Sequence, residues 1–238
     1  MRIIENHSNY ISKKFESSIM SIIGLGHANA LVGTALAKYG VRFYLLYDRD
    51  DVEEKNLSGS LYSIKNVGEE KTSAYAKQIL NQFPFNPEVM PYQLHLFSRN
   101  FTLDEVPFKS DVVIVGTDNG RSRYEIFRAH QKREFQNLYI DIRVDFNYAE
   151  IYFVPFNDKK AVEQYENNLE LIKNTEERHR CGERHLFQTI LQIASVVTAG
   201  INAYFLKQFE GFNRCSIDAI NRKEAWLQSI GDKDYEYM

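Results

Sequence analysis

The chain has 238 residues, of which 44% are apolar and 13% aromatic, and it carries a net charge of −3. That length and apolar content can build the core of one substantial domain, and the slight acidity gives no electrostatic basis for binding nucleic acid or an anionic membrane. Two cysteines, Cys181 and Cys215, are too few for a disulfide scaffold or for paired Cys-x-x-Cys zinc motifs.

Residues 19–23 read as a short apolar strand, and residues 30–39 as a helix that Gly40 ends. Residues 41–47 form a second apolar run, and residues 69–81 an amphipathic helix starting from a turn at Gly68. Residues 89–96 alternate apolar and polar positions as a third strand does. Residues 111–116 contain the compact run Val112-Val113-Ile114-Val115, a buried strand, and residues 121–134 read as a charged helix. Further strands are expected at 138–142 and 149–155, the second in an antiparallel extension. Residues 157–182 are strongly charged and read as a helical or mobile crossover with a solvated face. Leu186, Ile190, Ile193, Val197, Ile201 and Phe205 then mark a long helix over 186–209. Residues 211–238 read as a semi-ordered tail that Trp226 docks, ending in an exposed acidic stretch. Strands alternating with helices imply an α/β fold with a mainly parallel, Rossmann-like sheet covered on both faces. One domain is expected over 1–210, followed by the tail.

Polar residues at the ends of the apolar runs carry the chemistry. Gly24-Leu25-Gly26 follows the first strand as a tight turn whose backbone N–H groups can cradle phosphate. Asp48 ends the second run 24 residues after Gly24, where Rossmann-type folds put the acid that grips a ribose, with Asp50 as the alternative. Asn56, Lys71 and Asp118-Asn119 add an amide, a cation and a carboxylate, a set that suits a triphosphate and its magnesium. Gly24, Asp48 and Asp118 all fall at strand carboxyl ends, where open α/β sheets bind ligands.

As an ordered set these segments resemble the ThiF/MoeB/HesA family of adenylating enzymes, which activate ubiquitin, ubiquitin-like proteins and bacterial sulfur carriers. The resemblance rests on Ser21-Ile22-Ile23-Gly24-Leu25-Gly26, Asp48-Arg49-Asp50-Asp51-Val52, Asn56-Leu57, Gly68-Glu69-Glu70-Lys71, and Thr117-Asp118-Asn119 with Arg123. It runs from about residue 18 to 155, and more loosely from 181 to 209. It implies ATP and magnesium as cofactors, with Gly24, Gly26, His27, Asp48, Asp50, Asn56, Lys71 and Asn119 on the nucleotide, Asp118 on the metal, and Lys71, Asp118 and Arg123 in catalysis. It also implies a homodimer and, as partner, a ubiquitin-like or sulfur-carrier protein whose C-terminal carboxylate is adenylated. The chain departs from the family pattern twice. His27 and Asn29 stand where the turn has its third and fourth glycines, which puts a Cβ on the expected phosphate approach. Ser58-Gly59-Ser60 replaces an Arg-Gln, so a phosphate-binding cation is expected from Arg49 or Arg121.

Cys181, in Arg180-Cys181-Gly182-Glu183-Arg184, has two readings. Three nearby arginines and a helix start favour a thiolate, and some relatives use a cysteine near this point as acyl acceptor; a small buried thiol is the alternative. His179 and His185 flank it. Asp141-Ile142-Arg143 ends a strand either as a structural ion pair or as the lining of a channel for a carrier's tail. Two other functions stay open: a catalytically degenerate nucleotide-binding relative that serves as a protein platform, and an NAD-dependent oxidoreductase, which would leave Lys71 and Asp118-Asn119 without a use. Residues 1–15 show no leader-like apolar segment and no stretch reaches the ~20 apolar residues of a membrane span, so the expected location is the cytoplasm.

Overall fold

The computed structural model describes residues 12–57, 61–82, 93–97, 110–133, 137–145, 148–173, 186–208, 211, 213–219 and 223–228. Its centre is an eight-stranded sheet. Strands β1 (Ile19–Ile23), β2 (Phe43–Tyr47), β3 (Gln93–Phe97), β4 (Val112–Val115) and β5 (Leu138–Asp145) run parallel in the order β3-β2-β1-β4-β5. Strands β6 (Tyr148–Pro155), β7 (Asn213–Asp218) and β8 (Lys223–Gln228) extend the β5 edge antiparallel. All four residues of β4 are buried, as a strand covered on both faces requires.

Side-chain alternation along the strands splits the interior in two. Ile22, Ile114, Ile140, Ile151 and Phe153 face one core with helices α2 (His27–Lys38), α3 (Lys71–Gln82) and α6 (Leu186–Phe205). Ile23, Val113, Val115, Tyr139 and Tyr152 face the other, under α4 (Gly120–Gln131) and α5 (Lys159–Ile172). A short helix, α1 (Lys13–Ser17), closes the first core by setting Phe15 edge-on against Tyr39 and Phe205, with centroids 5.9 and 6.3 Å away. Among the described residues no helix is long and apolar enough to cross a membrane.

Three boundaries differ from the sequence expectations, each for a local reason. Helix α2 starts at His27 because Gly26 already serves as its N-cap. Helix α3 starts at Lys71 because Gly68, at φ +83°, and a bridge between Asp51 and Glu70 hold the preceding residues extended. Residues 211–238, expected as a semi-ordered tail, supply β7 and β8. In β7, Asn213, Cys215 and Ile217 are buried while Arg214, Ser216 and Asp218 are not, the alternation of a strand with one core face. The third strand begins at Gln93; residues 83–92 lie outside the described residues.

Candidate functional site

The carboxyl ends of β1, β2 and β4 meet at one point. The N–H of Gly24 donates to the carbonyl of Tyr47 at 2.8 Å, and that of Gly116 to the carbonyl of Ile23 at 3.0 Å, which fastens the loops after all three strands together. Gly24 has φ +82°, and a Cβ there would lie 2.6 Å from the Gly116 carbonyl oxygen. Both the backbone angle and the close approach therefore demand glycine. Gly26 is different: its φ is −69°, and a Cβ would meet nothing within 4 Å. The twelve-residue α2 begins there without a side-chain cap, at the positive end of its dipole. His27 is the first residue of that helix.

Asp48 ties the second loop to the first. One carboxylate oxygen accepts the N–H of Leu25 at 2.6 Å and the other accepts the N–H of Asp50 at 2.8 Å. Its side chain is 8% exposed, and burial pushes the carboxyl above its ordinary pKa range against the pull of Lys71 and the two N–H groups. The Lys71 ammonium donates to Asp50 at 2.8 Å and lies 4.0 Å from Asp48, with its side chain 10% exposed. Two backbone contacts bring it there: Val52 N–H to Glu69 carbonyl and Lys71 N–H to Asp50 carbonyl, 2.8 and 3.0 Å. Lys71, which the resemblance put on the nucleotide, stands beside the acids at the end of β2.

The remaining expected residues divide. Asp118 is exposed at the rim two positions after Gly116, accepting only from the Asn119 amide at 3.0 Å among its described bonds. Asn119 caps α4, accepting from the N–H of Ser122 at 2.7 Å. Asn56 is buried and closes a short 3-10 turn over 54–56 by accepting from the N–H of Glu53 at 2.9 Å. Arg123 is 1% exposed and lies behind the strand ends: it donates to Asp141, to the carbonyl of Ile142 and to the carbonyl of Thr117. Arg143 donates to the other Asp141 oxygen at 2.7 Å. Burial alone would raise the Asp141 carboxyl, but the two guanidinium groups outweigh it and hold it below the usual carboxylate range. Arg121, one of two arginines expected to supply the missing cation, pairs with Glu125 at 2.9 Å on the outer face of α4. Cys181, His179, His185 and residues 58–60 lie outside the described residues.

Asn29 stands at the fourth glycine position of the family's turn. It is 1% exposed and points inward, donating from one nitrogen to the carbonyls of Ile23 and Gly24 at 3.1 and 2.8 Å. Gly116 is required beneath it, since a Cβ there would stand 2.7 Å from the Asn29 amide. Tyr62 was not among the expected residues; its buried hydroxyl donates to the carbonyl of Leu25 at 2.8 Å and braces the glycine turn from outside. Only its place in an apolar setting shortly after Asn56 could have flagged it.

Comparison with known proteins bears on the family and the fold. Residues 3–216 match the model of the ThiF family. A Bacillus subtilis (strain 168) tRNA threonylcarbamoyladenosine dehydratase is 26% identical over 121 residues, which is 50% of this chain and 46% of that protein. Among solved structures, E. coli MccB with MccA superposes with a TM-score of 0.69 at 19% identity, over 92% of this chain and 66% of the other. E. coli MccB with ATP gives 0.65 at 18% identity, over 90% and 64%, and PaaA gives 0.65 at 14%, over 94% and 66%. This chain thus spans under half of the curated relative and just under two thirds of each solved chain.

Proposed function

We propose that this chain, which belongs to the ThiF family, adenylates the C-terminal carboxylate of a ubiquitin-like or sulfur-carrier protein, or of a peptide, at the expense of ATP. The observation that carries the reading is the joint at the end of β2. There a buried carboxylate, Asp48, is fixed by the N–H of the glycine turn, and an uncapped helix N-terminus opens beside it. That joint supplies a ribose acceptor and a phosphate cradle next to each other. MccB, whose fold this chain shares, has been solved with ATP and with MccA.

In this scheme the first N–H groups of α2 and the turn at Gly24–Gly26 receive the phosphates, with His27 beside them, while Asp48 and Asp50 lie at the ribose. Asn56 and Asn119 act at the edge of the nucleotide by fixing the loops that border it. Asp118, exposed and unhindered, is the residue that would hold magnesium, which when bound neutralises phosphate charge. A carboxylate oxygen of the acyl substrate attacks the α-phosphorus, and the bond to the β-phosphate oxygen breaks, with pyrophosphate leaving on that oxygen. Alignment and charge neutralisation supply most of the barrier lowering, which is why no general base is needed among these residues. Arg123 takes part as a positioning residue through the Thr117 carbonyl it holds. Cys181 enters only if the acyl group moves on from the adenylate to a thiol. The protein acts as a cytoplasmic homodimer on a protein or peptide substrate, without nucleic acid or membrane.

The test is magnesium-dependent exchange of labelled pyrophosphate into ATP in the presence of a C-terminal-glycine carrier. Asp118→Asn should lower exchange by about 100-fold or more, a large share of the metal's contribution, with the fold intact. Exchange that persists in Asp118→Asn would refute the metal assignment. A wild-type protein that binds ATP but exchanges nothing with any carrier would make the chain a binding platform.

A further inference from the structure

The two sides of the sheet are covered by helices of opposite character. On one side α4 carries four charged side chains and α5 five. On the other, α6 runs for 20 residues without one, and the 12 residues of α2 hold only Lys38, at the last position. Helices α2 and α6 pack against each other. Contact with the sheet accounts for the inner faces of this pair but not for the outer one. There Phe187 is 43% and Leu191 47% exposed, and Gln188, Ser195 and Ala199 of the same helix are exposed as well. Ala28, Leu31 and Ala35 of α2 are half-buried. A helix that meets only water ordinarily sets charged and polar side chains on its outer face. Depletion of charge is what distinguishes the centre of a protein interface from the rest of a surface.

We infer that this face is an interface with a second copy of the chain, formed by α6 crossing its own counterpart antiparallel at Ser195. The face itself sets the occupant. It has no charge with which to select a charged partner, and its exposed row is self-complementary. Leu191, Ser195 and Ala199 lie four residues apart along one ridge, and such ridges interdigitate where helices cross. A two-fold axis at Ser195 sets that serine against its own copy and Leu191 over the partner's Ala199, large on small, twice over. The size agrees. A helix of 20 residues is about 30 Å long and ~10 Å across, and α2 adds about 18 Å beside it. Together they offer about 500 Å² in plan, of the order of the ~800 Å² that each partner of a stable pair buries. Because α2 starts at the glycine turn, the contact runs along the helix that opens the proposed nucleotide site. The inference rests on the homodimer of the reading above and gives it a surface; it does not depend on the adenylation chemistry.

Sedimentation velocity of the ligand-free full chain needs neither ATP nor a carrier, so a failed exchange assay and a failed interface stay distinct. Wild type should sediment as a dimer. Ser195→Asp and Ser195→Arg each bring like charges together on the axis, and each should weaken dimerisation by about 100-fold or more. Mixing the two variants should restore the dimer, because the axis then pairs opposite charges, which misfolded chains would not do. Leu171→Asp replaces a leucine that is 80% exposed on α5, across the sheet, and should leave the dimer intact. If the Ser195 variants do not fold by circular dichroism, Leu191→Asn decides by the same measurement: it must weaken the dimer, or the inference falls. A monomeric wild type would give the face to another protein and overturn the inference. So would Ser195 variants that dimerise like wild type, a mixture that stays monomeric, or dissociation by Leu171→Asp.

Discussion

Asp141→Asn should destabilise this protein severely while changing its shape very little. Asp141 is fully buried, and each of its oxygens accepts from a different guanidinium: Arg123, 1% exposed, and Arg143, whose side chain is 11% exposed. Solvent screening of these pairs is therefore slight. Asparagine keeps the volume and one acceptor, but leaves two buried cations without their counter-ion. Removing one partner from a buried ionic network costs about 3–5 kcal/mol, and with two cations stranded the upper half of that range is expected. A domain has about 5–15 kcal/mol in all, so the urea midpoint should fall by about a quarter or more at unchanged m-value. The pH dependence follows from the depressed carboxyl. A group whose folded pKa lies below its unfolded value contributes fully above the unfolded value, near 3.9 for Asp, and loses the contribution as pH falls through the folded one. The gap between wild type and Asp141→Asn should hence be constant from neutral pH down to about 4 and narrow below it. In a double-mutant cycle with Arg123→Met the two losses should fall well short of additive. A cost under about 1 kcal/mol, the size of an ordinary surface change, would refute the claim that charge holds this joint together.

Other consequences can be measured alongside. His130 is buried against Tyr139 and Phe156 and bonded to Asn137, and burial chiefly lowers its pKa from 6.5 to about 4. Between those values the unfolded chain binds the extra proton, so stability should rise with pH there, by about 3 kcal/mol in total; His130→Phe should abolish that slope in urea titrations, and a slope that survives would sink the assignment. Gly24→Ala and Gly26→Ala should part company. The first forces a Cβ against Gly116 at positive φ and should cost at least the ~1–2 kcal/mol of a left-handed alanine. The second should melt like wild type but weaken ATP in calorimetry, and equal melting temperatures for both would contradict the geometry. Cys215 is fully buried in β7, so native alkylation should modify Cys181 alone if either; labelling of Cys215 before unfolding would mean that β7 does not sit in the sheet as described.

The centre of the parallel sheet was legible because β1, β2 and β4 are apolar runs, each followed by a candidate site residue. Val112-Val113-Ile114-Val115 can be little else than a doubly covered strand, and Gly24, Asp48 and Asp118 take their places from the ends of such runs. Strand β7 was not legible. Asn213-Arg214-Cys215-Ser216-Ile217-Asp218 offers a single large apolar side chain, and its strand state comes from antiparallel register with β6, pairing Cys215 with Ile151 and Arg214 with Tyr152. Such tertiary pairing overrides a weak local preference.

Within the site, motif letters located residues but not the direction of their side chains. Asn29 falls at a glycine position of the family's turn, and its amide clamps the two carbonyls that shape that turn. Lys71 was placed on the nucleotide by the Gly-x-x-Lys of the resemblance. Its actual neighbours depend on residues 51–70 folding back, through Val52 with Glu69 and Gly68 with Val52, so that the start of α3 lands beside β2. Arg123 was placed in catalysis by the resemblance, as the arginine close behind Thr117-Asp118-Asn119. Burial among Thr117, Asp141 and Ile142 makes it instead the strut that carries that loop. In each case the residue's partners are set by the loop contacts around it and not by its place in the motif alone. A site of this kind is therefore specified twice, once by the residues at the strand ends and once by the loops that aim them.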